Sequence, residues 1–187
     1  RLVILNAMDA KERGADILTQ TACLQLMPTE DSQGWHVVLQ DMINNDQFQI
    51  TAKSIVNAAG PWADRFLQSS GLEYSAPKLK LIKGSHIVTR KLFESESPYL
   101  LQQSDGRVVF AIPYEKDFTL IGTTEEVFED DPSDVKISDK ETEYLCDAYN
   151  RFFKKKISAK DIVLSYSGVR GLVDDGNKNA SKITRDY

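Results

Sequence analysis

The chain has 187 residues, 41% of them hydrophobic, and 28 acidic against 23 Lys and Arg side chains give a formal net charge of −5. That length holds one ordinary domain or pieces of two, and the acidic balance excludes the basic field of a general nucleic-acid binder. No apolar run approaches the roughly 20 residues of a membrane span.

The two cysteines, Cys23 and Cys146, have neither metal-ligand nor disulfide-framework spacing, so free thiols in a reducing compartment are expected. The chain starts at Arg1 inside a helical pattern and stops at Tyr187 inside a strand pattern, as an internal fragment would.

In chain order, Arg1–Arg13 is helical, with Gly14 placed to end it. Its opening Leu2–Leu5 is apolar nearly all round, which predicts packing on a sheet. Asp16–Met27, Trp35–Asp41 and Phe48–Asn57 read as three strands joined by short connections, hence antiparallel. The third runs into Ala58, Ala59 and Gly60, and Pro61 opens a helix over Pro61–Ser70. A small-residue turn between strand and helix can accept an anion or a cofactor backbone. It is also what any tight turn requires.

Leu79–Arg90 alternates as a strand. One parity carries Leu81, Lys83, Ser85 and Ile87. The other carries Ile82, Gly84, His86 and Val88. Glycine beside a half-buried imidazole leaves space for a ligand or another backbone. An ordinary core histidine is the competing reading.

Tyr99–Gln103 and Arg107–Pro113 are strands about a Ser104-Asp105-Gly106 turn, and the second, apolar on both faces, is expected to be buried. Asp117–Thr124 is a further strand ending in Thr123 and Thr124. Glu125–Asp134 is acidic, lacks the spacing of a calcium loop, and is expected to be a solvated loop. Ser138-Asp139-Lys140-Glu141 is a capping box that starts a helix running to about Lys155.

Ile162–Arg170 and Ala180–Tyr187 are strands that place Arg170 and Arg185 on their more apolar faces. A guanidinium facing a core requires an anion. That anion is either Asp174, Asp175 or Asp186, or a ligand phosphate or carboxylate gripped in a bidentate fork.

Six segments together carry a family resemblance: Asn57-Ala-Ala-Gly-Pro-Trp62, Lys83-Gly-Ser-His-Ile-Val88, Arg107-Val-Val-Phe-Ala-Ile-Pro113, Ile121-Gly-Thr-Thr124, Tyr166-Ser-Gly-Val-Arg170 and Ile183-Thr-Arg-Asp-Tyr187. In order and separation they resemble the bacterial FAD-dependent, aerobic glycerol-3-phosphate dehydrogenases. The resemblance implies an α+β fragment of a D-amino-acid-oxidase-like flavoprotein, a mostly antiparallel or mixed sheet with flanking helices. Residues 1–64 would be the middle of the FAD-binding domain and 65–187 the substrate-binding cap.

The implied reaction oxidises glycerol 3-phosphate to dihydroxyacetone phosphate, with electrons passed through FAD to quinone. The implied location is the inner face of the cytoplasmic membrane, with peripheral attachment. By motif position, His86 would be the base, or a hydrogen-bond partner, at the C2 hydroxyl, and Arg170 and Arg185 would hold the phosphate. Thr123 and Thr124 would line the same pocket. Ala59 and Gly60 would let the backbone approach the flavin. No metal is implied.

Four features depart from the family. The Gly-rich fingerprint for the FAD pyrophosphate and a C-terminal Gly-Gly-Lys segment are absent, so tight FAD binding by this chain alone is not expected. Glu125 stands where the family has Asp, and Gly171 stands where it has Pro, which is expected to loosen that turn. Two other readings are a non-catalytic module that binds a phosphate ligand, and a flavin oxidase of another small metabolite.

Overall fold

A computed structural model describes residues 1–72 and 78–174. Arg185 and the strand expected over Ala180–Tyr187 lie outside the described residues. The chain divides into two compact units, residues 1–58 with 65–72, and residues 59–64 with 78–174. The division is discontinuous, whereas the sequence suggested a single cut after residue 64.

In the first unit, helix α1 (Leu2–Glu12) is followed by strands β1 (Thr21–Pro28), β2 (Trp35–Asp41) and β3 (Gln47–Ala52). They form an antiparallel sheet in that order, with an irregularity in β1 between Cys23 and Gln25. Leu26, Val37 and Leu39 make its core, with Trp35, Ile55, Leu72 and Phe66 of helix α2 (Ala63–Ser69) packed against them. Helix α1 has no buried residue, and Leu2, Val3, Ile4 and Met8 are exposed. The expected packing of α1 on a sheet is therefore not seen among the described residues.

The second unit is built on β4 (Leu79–Arg90). It belongs to a sheet in the order β5 (Tyr99–Gln102), β6 (Val108–Tyr114), β7 (Phe118–Gly122), β4, β8 (Glu126–Val127). Strand β9 (Ile162–Val173) pairs with β4 along its length. Every pairing is antiparallel.

Helix α3 (Asp139–Asn150) covers one face. Its Leu145, Ala148 and Tyr149 close over Ile87, Val109, Ala111 and Ile121. Ser138 caps it as expected, its hydroxyl accepting from the Glu141 N–H at 3.2 Å. Burial of apolar surface here is what fixes the sheet in register.

The opposite face is more open. Leu100, Phe110, Leu164 and Tyr166 are exposed on it. Strand β6 is therefore buried on one face only, because α3 covers only one. The acidic stretch after β7 is not all solvated either, since Glu126 and Val127 pair with Lys83 and Ile82 as β8. Gly171 sits inside β9 opposite Leu81 rather than in a turn. A Cβ there would come within 3.0 Å of Leu79 Cδ1 and 3.2 Å of the Gly60 carbonyl oxygen, so the position is close-packed, not loosened.

Candidate functional site

Strand β4 sorts its side chains by parity. Lys83, Ser85, Ile87 and Thr89 are buried, and the first three face α3 and its cap. Gly84 and His86 face the open side. His86 lies in a cross-strand row with Phe110 of β6, Gly122 of β7 and Tyr166 of β9. Its imidazole stacks on the Tyr166 ring, 4.9 Å between centroids and 9° from parallel. On the other side it lies on Gly122, where a Cβ would meet the imidazole Cδ2 at 2.1 Å.

The His86 Nδ1 atom is buried without a hydrogen-bond partner among the described residues. Burial lowers the imidazole's pKa, and the nearby positive charge of Arg170 lowers it further. A neutral ring is thus favoured at neutral pH, and a neutral ring can accept a proton.

A cavity of about 410 Å³ opens on this face, lined by Arg107, Val108, Phe110, Thr123, Glu125 and Arg170. Gly84 makes it possible. A Cβ at that position would sit 2.6 Å from Thr123 Oγ1, 3.0 Å from the Thr124 carbonyl and 3.9 Å from Arg170 Nη2. Without a side chain there, the segment after β7 closes on β4, and Thr123 and Arg170 meet over the glycine.

Arg170 is about half exposed and lies 3.8 Å from the Glu125 carboxylate. The separation is longer than a hydrogen bond. It partly balances the guanidinium charge, leaving fork donors for a ligand. Arg107 is more committed. Its Nε and Nη2 donate to one Asp105 oxygen at 2.8 and 2.6 Å, and it lies 3.9 Å above the Tyr144 ring.

The structure thus places Thr123 and Arg170 in one cavity and His86 on the same sheet face. Arg185 is outside the described residues. Thr124 is placed elsewhere. It is buried, and its hydroxyl donates to Glu141 Oε1 at 2.7 Å on the α3 side. Successive residues of an extended chain point to opposite faces, so Thr123 and Thr124 do not both line a pocket.

Ala59 and Gly60 are not among the cavity's lining residues. They enter a short 3-10 turn, Gly60–Trp62. Asp64, just beyond the turn, is tied to β4 by accepting the Leu79 N–H at 2.8 Å. Gly60 has φ +56°, which favours glycine, and nothing lies within 4 Å of its Cβ position.

Two functional candidates were not foreseen. Glu125, not Asp174, is the carboxylate found beside Arg170; Asp174 lies 4.0 Å from Lys80. Glu141, read from sequence only as a helix cap, is a buried anion beneath the site. It takes Lys83 Nζ at 2.7 Å and hydrogen bonds from Ser85, Thr124 and Ser138.

Burial pushes the Glu141 carboxyl up, but the bonds from Lys83, Thr124, Ser138 and Ser85 outweigh it and hold it at about 2. A carboxyl depressed from its ordinary 4.5 to about 2 stabilises the fold fully above the unfolded value. That stabilisation is lost as pH falls from 4.5 through 2. Thermal unfolding of the full-length protein is expected to show a fall in midpoint across that window that is smaller in a Lys83→Met/Glu141→Met variant. An equal fall in both would place the acid sensitivity elsewhere.

The model of the FAD dependent oxidoreductase family matches residues 1–184. The chain is 46% identical over its full length to a glycerol-3-phosphate dehydrogenase of Pseudomonas aeruginosa, covering 36% of that protein. It is 42% identical to the D-erythritol 1-phosphate dehydrogenase of Brucella abortus and 39% identical to the aerobic glycerol-3-phosphate dehydrogenase of Escherichia coli. Both matches take in all of this chain and 37% of the relative. The chain therefore spans little more than a third of these relatives.

Among solved structures, glycerol-3-phosphate dehydrogenase from Bacillus halodurans complexed with FAD superposes with a TM-score of 0.74 at 30% identity, over 89% of this chain and 34% of that one. The α+β fold and these matches agree, and the chain belongs to the FAD dependent oxidoreductase family.

Proposed function

We propose that this chain supplies the substrate-binding face of an FAD-dependent dehydrogenase of glycerol 3-phosphate. One observation carries the reading. Arg170 and Thr123 share a cavity, with His86 on the same sheet face, in a chain 39–46% identical over its whole length to proteins named for that activity. The first unit would belong to the FAD domain, and the second, built on β4, would be the cap.

Arg170, with Arg185 assigned by motif position as a second arm, grips the phosphate through charge-assisted bonds. The Thr123 hydroxyl, which donates to the Thr124 carbonyl at 2.9 Å, offers its oxygen to the substrate as an acceptor. The imidazole of His86, held neutral by burial and by Arg170, takes the proton of the C2 hydroxyl.

The residues fit a flavin. An exposed apolar sheet face carrying Phe110, Leu164 and Tyr166 lies beside the orphaned His86 Nδ1. Ala59 and Gly60, the latter with open space at its Cβ position, are the part of this chain we assign to holding it. When bound, FAD supplies the acceptor for the hydride from C2. Passage of electrons to quinone at the inner face of the cytoplasmic membrane belongs to the same proposal. Among the described residues no helix is long and apolar enough to cross a membrane.

A second reading takes D-erythritol 1-phosphate as substrate, favoured by the 42% identity to the Brucella enzyme of that name. The two substrates share a phosphate and a secondary alcohol, so the same clamp serves both. Turnover by the full-length enzyme should be compared with glycerol 3-phosphate, D-erythritol 1-phosphate and unphosphorylated glycerol. The highest kcat/KM is expected with glycerol 3-phosphate. Preference for the four-carbon substrate would establish the second reading, and indifference to the phosphate would reject both.

A further inference from the structure

We propose that Glu141 is a positioning residue that holds His86 and Thr123 in place from the far side of the sheet, a proposal that rests on reading the open face as the substrate site. Strand β7 pairs with β4 only as far as Gly122 opposite His86. The next two residues, Thr123 and Thr124, fall between that ladder and β8, and one backbone bond, the Thr124 N–H to the Ser85 carbonyl at 3.3 Å, joins them to β4. Glu141 adds the side-chain bonds that fix them further.

Its two oxygens divide the work. Oε1 accepts from the Ser85 hydroxyl at 2.8 Å and the Thr124 hydroxyl at 2.7 Å. Oε2 takes Lys83 Nζ at 2.7 Å, the Ser138 N–H at 2.9 Å and the Ser138 hydroxyl at 3.0 Å. The Thr124 hydroxyl in turn accepts the Ser85 N–H at 2.8 Å. Ser85 immediately precedes His86, and Thr124 immediately follows Thr123.

One carboxylate oxygen thus joins the two backbone positions next to the two site residues. The other fixes the carboxylate to the start of α3. Glu141 is 1% exposed, so water does not compete for these bonds. A carboxylate is an acceptor on both oxygens in every orientation, which a neutral amide is not.

The test uses the full-length holoenzyme. Lys83→Met/Glu141→Met removes both charges at similar volume, and it also leaves the Ser85 and Thr124 hydroxyls and the Ser138 N–H without this acceptor. Thr124→Val removes one arm and leaves the ion pair, and Thr124→Ser keeps the hydroxyl. Displacement of reacting groups by an ångström can cost about a hundredfold. On that scale kcat per bound flavin is expected to fall at least about tenfold in the double variant and in Thr124→Val. Thr124→Ser should stay within about twofold of wild type.

Crystal structures of the variants give a readout independent of turnover, with Thr123 expected to move away from Gly84. If wild-type enzyme turns over neither phosphate, the functional reading fails while a displaced Thr123 still supports the positioning role. Wild-type kcat in Thr124→Val, or an unmoved Thr123 in both variants, would overturn it.

Discussion

Replacing Gly122 with alanine in the full-length enzyme is expected to lower kcat by about a hundredfold, the scale of a lost general base. The new Cβ would lie 2.1 Å from Cδ2, 2.6 Å from Cγ and 2.7 Å from Nε2 of His86. These are ring atoms, not the end of a flexible chain, so the whole imidazole must leave. It cannot slide sideways, because Tyr166 is stacked on it at 4.9 Å.

The Gly122 backbone is not in the left-handed region, so the effect is steric contact alone. Gly122→Ala should therefore match His86→Ala in kcat. The double variant should be no slower than either and should have a higher unfolding midpoint than Gly122→Ala, since the shortened side chain relieves the clash. Such non-additivity is what a shared mechanism produces. Wild-type kcat in Gly122→Ala, with kcat lost in His86→Ala, would refute the placement of the ring.

Period-two patterning made β4 and much of the site face legible. His86, Gly84 and Arg170 were assigned to faces by alternation alone, and the pairing of Ile82 with Arg170 keeps that assignment. The rest depended on what covers each face. Strand β6 reads as buried on both sides, yet Phe110 is 40% exposed, because among the described residues α3 covers only the other face.

Thr123 and Thr124 looked alike in sequence, and only their opposite orientations separate a cavity hydroxyl from a core one. Glu141 was visible as the third residue of a capping box. Nothing local showed that its carboxylate would also meet Lys83, Ser85 and Thr124 from other elements. Glu125, in an acidic run, looked like solvated charge; its approach to Arg170 exists only once the segment after β7 closes over Gly84.

Arg170→Lys should damage the full-length enzyme although the charge is kept. Lysine is a point charge without the planar fork that meets two phosphate oxygens together. A hydrogen bond to a charged group is worth roughly 1.5–3 kcal/mol. Losing one should reduce kcat/KM for glycerol 3-phosphate about ten- to a hundredfold. With glycerol, which has no phosphate to hold, the loss should be much smaller.

The comparison is needed because Arg170 already has a protein partner, Glu125 at 3.8 Å. If that ion pair were its whole purpose, the substitution would loosen the segment carrying Thr123 and slow both substrates equally. Glu125→Gln separates the two further. As a counter-ion that the incoming phosphate must outcompete, Glu125 should raise KM, so its removal should lower KM for glycerol 3-phosphate and leave glycerol unaffected. Equal losses for both substrates in Arg170→Lys, together with a raised KM in Glu125→Gln, would assign Arg170 to structure and require the phosphate site to be sought elsewhere.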